Sequence, residues 1–512
     1  MSGAARPSRL ESDLAELRRR LGEVSDLGRS RALLAWDERT MMPPGGAEAR
    51  ADQLATLSRI RHERLASDEV GRLLEGLRSW AEGLPYESDD ASLVRVAWKD
   101  WEKARRVPAD LRAEMTHAAS LGQGAWEAAR RDSDFVAFLP FLEHNIELRR
   151  RYISCFEGFD HPYDPLLDDF EPEASTAEVR QVLSELRDGL RPLVEAIVAK
   201  GTVVDDCVLH GPLPIAAQEE LGRQIVAGLP IEDGQWRLDS TMHPFAISIS
   251  PSDIRLTTRY DENYVGTALW SVIHEAGHGI YENGLPTQLR RSPLCRPVSL
   301  GFHESQSRMW ENWVGRGQAY LGSILPLLRA AAPGRFAEVD AEQLYRAANR
   351  VEPSLIRVEA DEVTYNLHIA LRFELETEIF EERLTAAELP DAWNARVQEY
   401  LGLEVPDDAN GVLQDVHWAA GSFGYFPTYA LGNVLAAQQW ERIEREIPDL
   451  DASIAAGELL PLRDWLRENL HSLGGKLTPP EMTERLTGGG LDVNPLLRQL
   501  SAKFGGIYGL GD

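Results

Sequence analysis

Apolar residues recur along this chain mostly at helical spacing. Leu10, Leu14, Leu17, Leu21 and Val24 form one stripe at three-to-four-residue intervals, which predicts an amphipathic first helix. Similar stripes predict helices over roughly 45–66, 92–131, 135–155 and 177–200. Turn-rich stretches such as "EGFDHPYDPLLDDFEP" separate them. One region differs: "WRLDSTMHPFAISISPSDIRLTTRY", residues 236–260, is β-branched and partly alternating, with "SPSD" as a turn. It predicts a small antiparallel sheet, with His243 inside it. Helical patterning resumes after 284 and runs to the Gly/Pro-rich "GGKLTPPEMTERLTGGG". The expectation is a mostly α fold with one short sheet, built as a single unit over 1–512.

Charge narrows the function. Lys and Arg number 54 against 82 Asp and Glu, a net charge of −28, which argues against nucleic acid and anionic membranes as partners. The same surface disfavours acidic peptides. Three scattered cysteines (Cys155, Cys207, Cys295) build neither a disulfide framework nor a CxxC zinc site, and point to a reducing compartment. The N-terminal stretch lacks the apolar core of a signal peptide, and no window approaches a membrane span, so a cytoplasmic protein is expected.

Chemistry concentrates between 243 and 417, where six of the twelve histidines fall: His243, His274, His278, His303, His368 and His417. Within "SVIHEAGHGIYENGLP", residues 271–286, His274 and His278 are four apart and share a helix face, so both imidazoles can reach one divalent ion. Glu275 sits beside the open position, where a carboxylate takes a proton from an activated water. Glu282 lies too far along the helix, since three ligands over two turns span ~12 Å of rise. The third ligand therefore comes from another helix. Glu304, in "SLGFHESQSRMWENWVGRG", completes a His, His, Glu set with one position left open; Glu311 is the fallback, more often a supporting carboxylate. Zinc suits these donors, with cobalt or manganese as alternatives.

The strings around this helix resemble a known family. "HPF" (243–245), "DIRLT" (253–257), "HEAGH" (274–278), "HESQSR" (303–308), "IRVEAD" (356–361) and "GVLQDVHW" (411–418) together are similar to the thermostable carboxypeptidase Taq family of metallocarboxypeptidases. "LLAWDERTMMPPGGAEAR" and "SAKFGGIYGL" extend the likeness to both ends of the chain.

The resemblance implies an exopeptidase that releases single C-terminal amino acids with broad specificity. It also implies an elongated two-lobed helical body with a deep groove, like neurolysin and angiotensin-converting enzyme, and a homodimer. Arg357 matches the family's IRxxAD string and is the candidate for the substrate's free carboxylate, with Asp361 at i+4 to orient it; a plain helical ion pair is the alternative. His417 and Tyr425 are candidate donors to the reaction's oxyanion, as the His and Tyr of angiotensin-converting enzyme are, with Tyr429 competing for the tyrosine's role. His243 and His303 are candidates for substrate contact or ligand support, against ordinary polar packing. Asp253 and Arg255 are expected to brace the sheet. The rival readings are a dipeptidyl carboxypeptidase or oligopeptidase with the same metal site, and an inactive peptide-binding protein.

Overall fold

The computed structural model describes residues 9–510, so the first eight residues of the N-terminal stretch read above lie outside it. Helices dominate. α1 (Arg9–Thr40) buries Leu14, Leu17, Leu21 and Val24, while Leu10 at its start stays exposed. α2 (Ala47–Leu65), α3 (Asp68–Glu82), α4 (Asp89–Arg106), α5 (Ala109–Asp132) and α6 (Phe135–Ile153) follow. The single helix expected over 92–131 is two. Pro108 forces Val107 into an extended conformation (φ −90°, ψ 117°) and ends α4, and the chain restarts as α5 immediately after it. The Gly/Pro-rich segment near the C-terminus carries a helix of its own, Pro479–Thr487, whose N-cap Thr478 and Glu481 form a capping box.

The sheet is mixed, not antiparallel throughout. β1 (Trp236–Ser240), β2 (Ala246–Ser250) and β3 (Asp253–Thr258) lie in the order β1-β3-β2. β2 and β3 form the expected hairpin, but β1 pairs parallel to β3, with Trp236 opposite Ile254. The 241–245 link carries the chain past a gap one strand wide, and β3 then fills that gap. Alternation reveals which residues share a face; it carries no information on strand direction. His243 lies exposed on this link rather than in a strand.

Two hydrophobic cores form. The first gathers α1, α3 and α4 with β3 and the helix Gly266–Gly284. The second gathers α5, α6, the helix Thr176–Lys200 and the helix Tyr365–Phe380. The helix Pro427–Glu446 belongs to both, sending Leu435, Ala436 and Trp440 into the first and Ala430, Leu431 and Val434 into the second. Glu304 packs against Gly432 of this shared helix, and Tyr429 projects from it.

Candidate metal centre

The helix Gly266–Gly284 carries the paired histidines. Leu269, Val272, Ile273, Ala276 and Ile280 bury its apolar face, which aims His274 and His278 off the other side. The partner helix, Leu300–Arg308, starts at Ser299, whose side chain accepts from the Phe302 N–H. Two glycines let it come close. A Cβ at Gly277 would lie 2.7 Å from the Ser307 Cα, and one at Gly432 would lie 2.6 Å from the Glu304 Cγ. Glu304 is thereby wedged between two backbones.

The three side chains converge. Glu304 Oε2 stands 3.7 Å from His274 Nε2 and 3.5 Å from His278 Nε2, and one donor atom from each residue lies within 4.8 Å of the others. The imidazole rings stand nearly perpendicular, 86° apart. Each histidine is anchored through its other nitrogen. His274 Nδ1 is 2.9 Å from Glu311 Oε2, and His278 Nδ1 is 3.1 Å from the His303 carbonyl oxygen. A ring N–H donated to each of these acceptors leaves both Nε2 atoms as free acceptors, the form that binds a cation. Burial pushes Glu304 up, but Arg308 first and His274 next outweigh it and hold the carboxyl well below its usual range. His278 is pushed down to about 3 by burial and by His303. Burial pushes His274 down, but Glu304 and Glu311 outweigh it and hold its pKa above the usual value, so the site attracts positive charge where the two imidazoles and the ionised Glu304 converge, a donor set suited to a divalent ion. Glu311, the fallback ligand, instead supports His274 and pairs with Arg316 at 3.1 Å.

Glu275 projects from the same helix as the histidines. It is buried, its Oε2 meets no donor among the described residues, and burial raises its pKa to about 7. An orphaned carboxylate oxygen beside a convergent donor set is positioned to exchange a proton with something bound there.

A second cluster lies alongside. Arg357 is buried, but its partner is not Asp361. Residues 351–364 do not form an α-helix; Arg357–Glu359 is a single tight turn, so i,i+4 neighbours do not meet. Asp361 instead accepts from the N–H groups of Val363 and Thr364 at 2.9 and 3.0 Å, holding the start of the helix Tyr365–Phe380. Arg357 Nε and Nη2 both reach Asp415 Oδ1, at 3.0 and 2.8 Å, and Nη1 donates to the Tyr365 hydroxyl at 3.0 Å. Asp415 Oδ2 also holds the fully buried Arg372 at 2.5 Å. Asp415, Arg372 and Tyr365 were missed as site residues. The signal was present in "GVLQDVHW", where an acid stands two residues before His417 in an apolar run.

His417 and both tyrosines close the space between the clusters. His417 Nε2 is 3.3 Å from the Tyr429 hydroxyl, and burial lowers its pKa to about 3. The Tyr425 and Tyr429 rings are 5.3 Å apart, and the Arg357 guanidinium sits 5.0 Å over Tyr429. Burial raises Tyr425 to about 12, with Glu304 adding to it, so its hydroxyl stays a donor. His303 stacks on His278 at 4.2 Å and lies 3.4 Å from Glu282. Asp253 and Arg255 pair at 2.5 Å across the face of Trp36, bracing the sheet.

The profile of the Carboxypeptidase Taq (M32) metallopeptidase family matches residues 16–504. Thermostable carboxypeptidase 1 of Thermus thermophilus is 40% identical, with 98% of this chain and 100% of the relative covered. Carboxypeptidase 1 of Bacillus subtilis is 37% identical, with 97% and 98% covered. The crystal structure of an M32 carboxypeptidase from Deinococcus radiodurans R1 superposes with a TM-score of 0.94 at 39% identity, covering 98% of this chain and all of that one. The chain therefore belongs to the carboxypeptidase Taq (M32) family of metallopeptidases, and its activity is that of a metallocarboxypeptidase.

Proposed function

We propose that this enzyme releases single C-terminal amino acids from peptides at a site made of His274, His278 and Glu304 as metal ligands, Glu275 as general base, and Arg357 as the carboxylate fork. The observation that carries this reading is the pairing of a convergent His, His, Glu set with the orphaned Oε2 of Glu275. A divalent ion on those three residues, zinc by donor chemistry with cobalt or manganese as alternatives, supplies Lewis acidity to water and to the scissile carbonyl.

The chain's own residues do the rest. Arg357 is aligned by Asp415 and Tyr365 and has N–H groups to spare, since three bonds leave part of its five-donor fork free for a terminal carboxylate. Glu275 takes a proton from the attacking water and passes it to the leaving amine, its Oε2 having no donor of its own among the described residues. The hydroxyl of Tyr425 and the ring N–H of His417 donate to the developing oxyanion, with Tyr429 holding His417 and facing Arg357. His303 steadies the His278 ring by stacking. His243, exposed on the 241–245 link, contacts peptide at the outer edge of the site.

The seam between the two cores serves as the groove of a two-lobed body, with the sheet on one wall. A homodimer and a cytoplasmic location complete the proposal. They are supported by the family likeness and by the sequence's lack of a disulfide framework; among the described residues no helix is long and apolar enough to cross a membrane. The test is product identity. An N-blocked tripeptide should yield the free C-terminal amino acid first; release of an intact dipeptide would assign the dipeptidyl reading instead.

A further inference from the structure

A cleft of about 1120 Å³ opens beside the metal centre, with His303 and Glu282 at its inner end and α2, α4, α5 and α6 along its walls. Its lining carries seven Lys and Arg against six Asp and Glu, and they pair unevenly. The carboxylates on its walls already hold cations or a donor: Asp100 pairs with Arg296 at 3.0 Å, Glu102 with Arg106 at 2.8 Å, and Glu173 with Lys99. Asp168 and Asp169 share Lys103 at 2.6 and 2.8 Å, and Glu282 faces His303. Three arginines are left over. Arg61 on α2, Arg112 on α5 and Arg149 on α6 have no side-chain hydrogen bond and no carboxylate partner within salt-bridge distance among the described residues.

Acids outnumber bases by 28, so an arginine side chain has an excess of carboxylates to choose from. Arg112 goes further, with its Nε buried and without an acceptor. Arg149 lies over the face of Tyr152, at 5.6 Å, and beside Gly421. The neighbours feel the uncompensated charge. His62, on the same wall, is lowered by burial and then by Arg112 and Arg61. Arg61 is exposed at the cleft's rim and Arg112 and Arg149 are half-buried along its walls; three guanidinium groups without a carboxylate of their own, facing one cavity, attract an anion.

The cavity adjoins the metal centre through two contacts. His303 stacks on His278, and Phe170, a wall residue, packs edge-on against Tyr425 at 5.0 Å. A peptide whose terminal carboxylate rests on Arg357 and whose scissile bond lies at the metal continues into this space with its upstream residues. We propose that the Arg61, Arg112 and Arg149 cluster is a subsite for acidic side chains upstream of the scissile bond, so that the enzyme prefers peptides bearing Asp or Glu there. This rests on the peptidase reading above, and it reverses the expectation that an acidic protein disfavours acidic peptides.

The test uses N-blocked pentapeptides identical at their last two positions and carrying Glu, Ala or Lys at the third and fourth residues from the C-terminus. An N-blocked dipeptide too short to reach the cleft is assayed in parallel. The expected order of kcat/KM is Glu, then Ala, then Lys, with a Glu-to-Lys ratio of roughly tenfold at low salt that falls as ionic strength rises. Arg112→Glu should reverse that order, a result that misfolding cannot produce. Equal kcat/KM for the three pentapeptides, with the dipeptide turned over, would overturn the subsite and leave the peptidase reading intact. If no peptide is turned over, the peptidase reading is what fails. Calorimetric binding of the Glu and Lys pentapeptides then decides the subsite, and equal affinity would overturn it.

Discussion

Two buried glutamates on different helices carry nearly the same electrostatic burden and play different parts. Burial raises both Glu275 and Glu376 to about 7. Glu376, in the second core, is fully satisfied. Its Oε1 accepts from Trp418 Nε1 at 2.7 Å, and its Oε2 accepts from the Tyr163 hydroxyl at 2.5 Å and the Gly424 N–H at 2.9 Å. Glu275 leaves Oε2 without a donor among the described residues, with His274 and Glu304 among its charged neighbours. A raised pKa therefore does not mark chemistry by itself. What marks it is a costly group left unfinished by the protein, which a ligand or a reacting proton must complete.

The contrast breaks most visibly at Glu275. Glu275→Gln should cut kcat by about 10²–10⁴-fold while leaving the melting temperature and bound metal nearly unchanged. Turnover and metal analysis on one preparation check it, and a large loss of stability would place Glu275 with Glu376 as a structural acid. Arg357 sharpens the contrast because its partners make it look finished. Arg357→Ala should cost about 2–5 kcal/mol of transition-state binding, which is roughly 30- to 4,000-fold in kcat/KM. The loss should be confined to peptides with a free carboxylate; C-terminal amides should respond little, and equal losses on both would make Arg357 a brace.

Gly432→Ala acts one step away from the donors. The added methyl would meet the Glu304 side chain at 2.6 Å, so the carboxylate must shift, and metal affinity should fall by about 10–100-fold in equilibrium dialysis. Glu376→Gln gives the smallest functional effect: kcat/KM stays at the wild-type level, and stability falls by about 1–3 kcal/mol at pH 4.5, because the amide must turn an N–H toward one of three donors. That cost should shrink with pH. The folded-state pKa of Glu376 lies near 7 against 4.5 unfolded, so its protonated form contributes stability below 4.5 that is lost as pH rises through 7. Denaturant melts of both proteins at pH 4.5 and 8 measure the narrowing.

Much of this site was legible in the chain because helices translate spacing into geometry. The four-residue step from His274 to His278 fixed a shared face, and the same arithmetic removed Glu282 and sent the search to a second helix, where Glu304 lies. The helical majority of the fold was legible for the same reason. Legibility failed where geometry depends on chain segments far apart. Asp361 was paired with Arg357 by an i,i+4 rule that needs an α-helix, and the turn at 357–359 sends Arg357 to Asp415, 58 residues away. The parallel pairing of β1 with β3 and the unpaired arginines of α2, α5 and α6 are equally non-local. The break at Pro108 was readable, since proline constrains the residue before it, but continuous apolar spacing masked it.

The central claim concerns three side chains from two helices that hold one divalent ion beside an uncommitted carboxylate. Metal content per chain, measured by mass spectrometry after dialysis of the wild type, His274→Ala, His278→Ala, Glu304→Ala and Glu275→Gln, tests it most directly. The account predicts one equivalent in the wild type and in Glu275→Gln, and its loss from the other three. A Glu304→Ala protein that keeps a full equivalent of metal and turns over peptide at the wild-type rate would contradict it.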